Sequence, residues 1–168
     1  MTLNLDNVVV DSNFSTDTFA RYVDKNLTTA LNDIATALQK NMKRTLNTAG
    51  SGQKHPGLPK RSSAPFHPPV VQTGNLWRSW ITRVRKDSGP NKSLVLGSNL
   101  NYARFLERGT KVGGKVRMYP RPYISEAVKR TEKQLPRINR KLQRNIKRSA
   151  ARAKRIGQYS AIAKASNA

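Results

Sequence analysis

The hydrophobic pattern of residues 16–46 predicts a long amphipathic helix. The segment begins with Ser15-Thr16-Asp17, a typical helix start. Apolar side chains then recur every three or four positions, at Phe19, Val23, Leu27, Leu31, Ile34, Leu38, Met42 and Leu46. This spacing places them on one face, so we expect a helix of about 30 residues.

The segments on either side of this helix lack the same periodicity. Residues 1–15, which contain the run VVVDSN, predict either an edge strand or a flexible arm. Residues 47–73 hold five of the nine prolines, so they cannot be regular structure over their whole length. A loop of this size is more often functional than incidental.

Short elements follow the loop. The alternation in WITRVR, residues 80–85, predicts a strand, and SLVLG, residues 93–97, predicts a second one after a turn at 86–90. Leu100, Ala103 and Leu106 then predict a helix of about two and a half turns.

Glycine and proline mark the ends of the predicted elements in the rest of the chain. We expect Gly109 to end the short helix in the left-handed conformation. Residues 112–118 predict either a hairpin or a bare loop. A last helix is expected to run to about residue 155, with Pro136 kinking or breaking it. Its apolar face is formed by Ile124, Val128, Leu135, Ile138, Leu142, Ile146 and Ala150.

These elements predict an α+β fold. A long N-terminal amphipathic helix packs on a short, mostly antiparallel sheet, and a long basic helix follows. We expect an arm or edge strand at residues 1–15, a single core domain at 16–128 that includes the 47–73 loop, and a basic helix with a flexible tail at 129–168.

The charge of the chain is strongly positive and unevenly distributed. The 168 residues include 32 Lys and Arg against 9 Asp and Glu, a net charge of +23, with 36% apolar residues. Such a balance usually accompanies a polyanion, and the low apolar content implies a modest core. Residues 115–168 alone contain 16 basic and 2 acidic side chains.

The basic C-terminal helix has three interpretations. In the first, its cations form a solvated face that keeps an amphipathic helix with few apolar residues soluble. In the second, they contact the phosphate backbone of double-stranded DNA without reading bases. In the third, they bind an anionic membrane surface. The candidates for DNA-backbone contact are Arg137, Arg140, Lys141, Arg144, Lys147, Arg148, Arg152, Lys154 and Arg155.

The side chains needed for catalysis are sparse. There is no Cys, and both histidines, His55 and His67, lie in the Pro/Gly-rich loop without an acid nearby in sequence. The nine acids are scattered, and no phosphate-binding loop or nucleophile elbow is present. We therefore predict a protein that is not an enzyme, with no catalytic residue, metal or cofactor.

The chain also lacks an apolar run long enough to span a membrane and a leader-like N-terminus. Together with the absence of Cys, this predicts a soluble protein that is intracellular when made and does not use a membrane.

Glu107 is an acid near the C-terminal end of the predicted short helix, where the helix dipole disfavours negative charge. A cation is expected to offset it. Two sources are open: Arg104, Arg108 or Lys111 beside it in the chain, or an arginine of a neighbouring subunit.

Four blocks of sequence together resemble the tail-completion or neck proteins of long-tailed double-stranded-DNA bacteriophages. That family typically shows S-A-P-G-x-P-P, then T-G-x-L-x-x-S, then Y-A-x-x-x-E-x-G-T, and then P-F or P-Y before a helix. The matching residues are Ser63, Ala64, Pro65, Pro68, Pro69, Thr73, Gly74, Leu76, Ser79, Tyr102, Ala103, Glu107, Gly109, Thr110, Pro122 and Tyr123. The chain departs from the pattern at Phe66 and His67.

The resemblance implies a structural virion protein of the phage neck. It implies a homo-oligomeric ring, with a hexamer favoured, at the head–tail joint, which completes the tail and lets DNA pass. Neighbouring neck, tail-terminator or connector proteins and genomic DNA are the implied partners, with host cytoplasm as the site of assembly. The interface candidates are the matching residues of the last three blocks together with Trp77, namely Thr73, Gly74, Leu76, Trp77, Ser79, Tyr102, Ala103, Glu107, Gly109, Thr110, Pro122 and Tyr123.

A free, sequence-nonspecific nucleic-acid-binding protein of ribosomal or architectural type is the alternative. In such a protein the basic helix would be the main functional element. The Pro/Gly-rich loop and the Tyr102–Thr110 block are features that a simple clamp on nucleic acid would not need.

Overall fold

The long N-terminal helix is present as predicted. The structure is a computed structural model that describes the backbone of residues 15–87 and 91–165 and the side chains as far as residue 158. Helix α1 spans Thr16–Leu46. Asp17 in its first turn and Lys43 and Arg44 in its last turn complement the helix dipole. The predicted arm lies, except for residue 15, outside the described residues.

Two strands form the antiparallel hairpin expected after the loop. Strand β1 spans Trp80–Lys86 and pairs with β2, Lys92–Ser98, in a register that sets Trp80 opposite Ser98. Alternation sends Trp80, Leu94 and Leu96 to the side that packs into the core. The middle of the predicted turn, residues 88–90, lies outside the described part of the chain.

Two short helices differ from the prediction. Helix α2, Asn75–Arg78, is a single turn that the sequence pattern does not reveal. Helix α3 spans only Ala103–Arg108, less than the two and a half turns expected. The Ser98 hydroxyl accepts a hydrogen bond from the Leu100 N–H at 3.2 Å, which holds Leu100 in the preceding turn and delays the helix start.

Residues 110–118 form a hairpin, the first of the two predicted alternatives. Strand β3, Thr110–Val112, pairs antiparallel with β4, Lys115–Met118, and a bulge lies between Thr110 and Lys111. Gly113 and Gly114 both have positive φ, as the tightest hairpin turns require.

The predicted C-terminal helix is broken, as Pro136 suggested. Helix α4 spans Ile124–Glu132, and α5 spans Leu135–Ala165, about ten residues further than expected. Proline lacks an N–H, so it is tolerated in the first turn of α5, where no partner within the helix is available. The break therefore falls just before Pro136.

The α+β fold class is confirmed, and the chain divides into two compact units. One unit comprises residues 30–138, and the other comprises the described residues 15–29 together with 139–165. The domain boundaries predicted after residues 15 and 128 stay predictions. Among the described residues, no helix is long and apolar enough to cross a membrane.

The core of the first unit forms where the second half of α1 meets β1, α3 and α4. Its buried members are Leu38, Met42, Leu46, Trp80, Ala103, Tyr123 and Ala127. A buried hydrogen bond from the Asn41 amide to the Thr131 hydroxyl, at 3.0 Å, links α1 to α4.

In the second unit, the start of α1 pairs with α5. The Asn26 amide donates to the Ser149 hydroxyl at 2.9 Å, and the Arg152 guanidinium lies 5.6 Å from the centre of the Tyr22 ring. Leu142 and Ala153 are buried on the inner face of α5.

Candidate assembly site

The Glu107 carboxylate caps the N-terminus of helix α4. Its Oε2 accepts hydrogen bonds from the Tyr123 N–H at 2.8 Å and the Ile124 N–H at 2.9 Å. Its Oε1 accepts from the Ser125 N–H at 3.2 Å and the Ser125 hydroxyl at 2.7 Å. The first N–H groups of a helix have no partner within the helix, and the positive end of the dipole favours an anion.

This geometry corrects the expectation that Arg104, Arg108 or Lys111 offsets the charge of Glu107, whereas an arginine of a neighbouring subunit stays a prediction. Within the described part of the chain, the carboxylate bonds to the start of α4 and not to Arg104, Arg108 or Lys111. The C-terminal end of α3 does disfavour an acid, but the N-terminus of α4 favours it more, through four hydrogen bonds. A neighbouring subunit is not needed to explain this acid.

Ser125 is a functional contact that the sequence analysis missed. A signal was available, because Pro122 and Tyr123 precede α4 and neither offers the side-chain acceptor that usually caps a helix. A helix start without its own cap needs an acceptor from elsewhere in the fold. Glu107 supplies this acceptor, which explains why it is hydrogen-bonded to Tyr123 although the two residues belong to different motif blocks.

Tyr123 fixes α3 against α4 from inside the core. Its side chain is fully buried, its hydroxyl donates to the Ala103 carbonyl at 3.0 Å, and its ring lies edge-on to Trp80 at 5.7 Å. Burial, followed by the negative charge of Glu107, raises the pKa of Tyr123. The hydroxyl therefore remains a hydrogen-bond donor, and the small Ala103 side chain leaves room for the ring.

Gly109 ends α3, although not in the left-handed helical conformation that we predicted. Its φ of 73° and ψ of −178° lie in a region that is essentially restricted to glycine. A Cβ at this position would lie 2.5 Å from the Met118 carbonyl oxygen. Gly109 thus allows β3 to leave α3 directly beside the end of β4.

The Thr73–Ser79 block builds a local scaffold around α2. Gly74 is left-handed with φ 81°, and the Arg78 guanidinium donates to the Thr73 carbonyl at 3.2 Å. Ser79 is buried and its hydroxyl bonds to the Leu76 carbonyl at 2.9 Å and the Ser98 hydroxyl at 2.8 Å. This block connects the loop to both strands of the first hairpin.

A groove of about 260 Å³ lies beside this scaffold. Thr73, Gly74, Leu76 and Trp77 line it from one motif block, and Tyr102 lines it from another. Its other lining residues include Leu46, Leu58, Val71, Leu106 and Arg121, together with Ser63 and Pro69 of the first motif block. The motif residues therefore divide into a set that holds the fold together and a set that faces this groove.

Phe66 stands where the family pattern has glycine, and its backbone is left-handed with φ 64°. A bulky residue is unfavourable in this conformation. Its N–H donates to the Pro120 carbonyl at 2.9 Å, and its ring contacts Tyr119 with centroids 5.4 Å apart. The contacts with Pro120 and Tyr119 hold the backbone of Phe66 in this conformation, and its side chain, which is 61% exposed, meets no obstacle there.

The nine basic residues proposed for DNA contact are all exposed on α5. At about 100° per residue they fall within roughly half of the helix circumference. Leu142 and Ala153 are buried on the opposite side. Between Leu135 and Ala165 the helix carries ten Lys and Arg and no acid.

The described residues contain no group of three or more side chains suited to bind a metal ion. His67 lines a surface cavity with Glu126 and Arg130, so the fold does bring one acid toward this histidine. His55 is exposed in the loop. One acid and one histidine do not make a metal site or a catalytic triad.

The Glu107 cap predicts a specific pH dependence of stability. Burial raises the pKa of this carboxyl, but the bonds from Ile124, Tyr123 and Ser125 together lower it below its ordinary value. The pKa of Glu107 is lower in the folded chain than in the unfolded chain. The ionised carboxylate therefore stabilises the folded state fully above the unfolded pKa of about 4.3, and this stabilisation is lost as the pH falls through the folded pKa.

We therefore expect the difference in free energy of unfolding between the wild type and Glu107→Gln to be largest at neutral pH and to decrease as the pH is lowered. Urea unfolding followed by circular dichroism over a pH series measures it. Glu126→Gln is the control, because Glu126 lies in the first turn of α4 but accepts none of these hydrogen bonds. A difference that stays constant into strong acid would contradict the cap.

Residues 13–109 match a family model described as "HK97-gp10_like: Bacteriophage HK97-gp10, putative tail-component". The matched range is more than half of the chain and includes α1, the first hairpin and α3 with Glu107 and Gly109. No curated protein and no solved structure matches the chain.

Proposed function

The chain belongs to the HK97-gp10-like family of bacteriophage tail components, and from this premise we propose that it forms a ring at the head–tail joint that completes the tail and lets DNA pass. The observation that carries the proposal is the family match over α1, the hairpin and α3. The second and third motif blocks, Thr73–Ser79 and Tyr102–Thr110, which lie within this range except for Thr110, supply the scaffold and much of the groove. A structural protein at the head–tail joint needs a rigid scaffold and a groove that can bind other subunits, and it does not need an active site.

The composition of the chain supports assembly with further copies. Only 36% of its residues are apolar, and several large apolar side chains are exposed in the 30–138 unit, including Phe66, Ile81, Val112 and Tyr119. Contacts between subunits would bury surface that one copy leaves in water. A hexamer is the ring size that we favour, and neck, tail-terminator or connector proteins are the neighbours that we propose.

We expect the purified protein, alone or with neighbouring neck proteins, to form closed rings. Multi-angle light scattering after gel filtration gives the mass, and negative-stain electron microscopy shows closure. Sedimentation of purified virions followed by mass spectrometry tests whether the protein is in the particle. A strict monomer under all these conditions would contradict the ring, and absence from virions would contradict the tail assignment.

The cationic face of α5 supports the second part of the proposal, contact with the DNA backbone. Sequence-independent binding releases counterions, at about 0.9 units of log–log salt slope per phosphate contact. We expect replacement of Arg137, Arg144, Arg148 and Arg155 by Gln to flatten the slope by up to about 3.6 units. Fluorescence anisotropy with a labelled duplex of random sequence, at several salt concentrations, gives both slopes.

A matched control separates this face from net charge alone. Arg83, Arg85, Lys111 and Lys115 are also exposed but lie on the two hairpins, and their replacement by Gln removes the same charge. This variant is expected to keep most of the wild-type slope. Equal flattening by both sets would mean that α5 contributes only general basicity.

The alternative function is a free, sequence-nonspecific nucleic-acid-binding protein, which the exposed α5 face favours. The same virion experiment distinguishes the two functions. A tail component is found in particles at a fixed copy number, whereas a free binding protein remains in the lysate and is absent from them.

A further inference from the structure

The groove is formed where several separate parts of the sequence meet. Ser63 lies in the first motif block, Thr73 to Trp77 in the second, and Tyr102 in the third, while Arg121 follows the second hairpin. The volume of about 260 Å³ is below the usual range for a small-molecule site. It suits a few side chains of a docked protein segment better than a cofactor.

The groove combines an apolar wall with an unsatisfied donor. Leu46, Val71, Leu76 and Leu106 provide apolar surface, and Tyr102 is 44% exposed at the edge. The Arg121 Nε atom is buried and has no hydrogen-bond partner among the described residues. A buried donor without an acceptor is costly. The Arg121 side chain also lines the groove, and its cationic guanidinium favours an occupant that carries a carboxylate.

The surroundings of the groove select for negative charge. No acidic residue lines it, the Lys43 ammonium lies 4.4 Å from the centre of the Trp77 ring, and Arg78 lies against Thr73. An occupant should therefore combine large apolar side chains with carboxylates and carry no Lys or Arg.

We propose that the groove binds residues 1–14 of a neighbouring copy of this chain. The sequence MTLNLDNVVVDSNF contains Asp6 and Asp11, no Lys or Arg, and six large aliphatic or aromatic residues, Leu3, Leu5, Val8, Val9, Val10 and Phe14. The other 154 residues carry all 32 basic and the remaining 7 acidic side chains, a net charge of +25. The chain thus contains a segment with the chemistry that the groove requires.

A contact of this kind would join different surfaces of two copies. Each copy offers one segment and one groove, which is a heterologous interface, and such interfaces generate rings when the rotation closes. The inference rests on the proposed ring and deepens it, because it names the contact that makes the ring.

The experiment uses the full chain with a photo-crosslinker in the groove. Tyr102→p-benzoylphenylalanine is prepared as ¹⁴N and ¹⁵N protein, the two are mixed, irradiated and digested, and adducts are identified by mass spectrometry. We expect adducts with residues 1–14, including mixed ¹⁴N–¹⁵N pairs. Asp6→Asn with Asp11→Asn, and separately Arg121→Met, should lower their yield several-fold.

Phe105→p-benzoylphenylalanine is the matched control. Phe105 lies on α3, three residues after Tyr102, and is 40% exposed, but it does not line the groove, so it should give few adducts with residues 1–14. Arg104→Met controls for Arg121→Met, because it removes an exposed cation of α3 outside the groove.

The outcomes are distinguishable from those of the proposed function. Adducts with another segment, adducts only within one chain, or adducts only with a different virion protein would each overturn the inference. If rings form and virions contain the protein while the adducts lie elsewhere, the inference fails and the proposed function stands. If mixed-isotope adducts with residues 1–14 are found but the protein is absent from virions, the inference stands and the proposed function fails.

Discussion

Gly109→Ala is expected to destabilise the protein by about 3–5 kcal/mol, the largest effect of any single substitution considered. Two causes add. The φ of 73° with ψ of −178° disfavours any residue with a Cβ, and that Cβ would lie 2.5 Å from the Met118 carbonyl oxygen and 2.8 Å from the Pro120 nitrogen. The Met118 oxygen and the Pro120 nitrogen are both backbone atoms, so they cannot move aside without shifting the end of β4.

Gly114→Ala is the control for the Gly109 substitution. Gly114 also has a positive φ, 76°, but a Cβ there would meet nothing within 4 Å. We expect it to cost about 1–2 kcal/mol, the strain of a left-handed alanine alone. Urea unfolding followed by circular dichroism compares the two, and equal losses would show that the approach to Met118 does not matter.

Glu107→Gln is expected to lower the free energy of unfolding by about 2–3 kcal/mol, because it weakens charge-assisted bonds to Tyr123, Ile124 and Ser125. Glu107→Lys should cost more, since it places a cation at the positive end of the α4 dipole. Glu126→Gln should cost less than about 1 kcal/mol, the usual dipole contribution of a first-turn acid. Thermal or urea unfolding of the three variants measures the order.

The same variants decide between two roles for Glu107. If its main partner were an arginine of a neighbouring subunit, Glu107→Lys would fold normally and fail only in ring assembly. The cap predicts the opposite order, with loss of stability in the isolated chain. Normal melting together with absent rings would therefore contradict the cap and restore the intersubunit role.

The long elements of the fold were predictable because their signals are local. An apolar period maintained over residues 16–46 leaves little choice but a helix, and alternation in WITRVR and SLVLG indicates strands. Pro136 marked the helix break because its missing N–H is a property of that one residue. The one-turn helix α2 has too few residues to show a period, so it was missed.

The arrangement of the site was not predictable in the same way. The sequence identified Glu107 and Tyr123 but assigned the acid to a cation, because the N-terminus that it caps lies sixteen to eighteen residues away in the chain. The sequence shows that Pro122 and Tyr123 offer no side-chain cap, but it does not show which distant residue supplies the acceptor. Arg121 was also missed as a groove residue, because only the fold shows that its Nε is buried without a partner.

The division of the chain into two units has a consequence for the order of folding during translation. The unit of residues 30–138 is continuous, so all of it can fold once the ribosome has released that stretch. The other unit is discontinuous: the Asn26 amide meets Ser149 only after 123 further residues have been added. At about 5–20 residues per second, synthesis of these residues takes roughly 6–25 s, and the start of α1 cannot pack against α5 before then. Helix α1 therefore completes its packing in two stages, with its C-terminal half first.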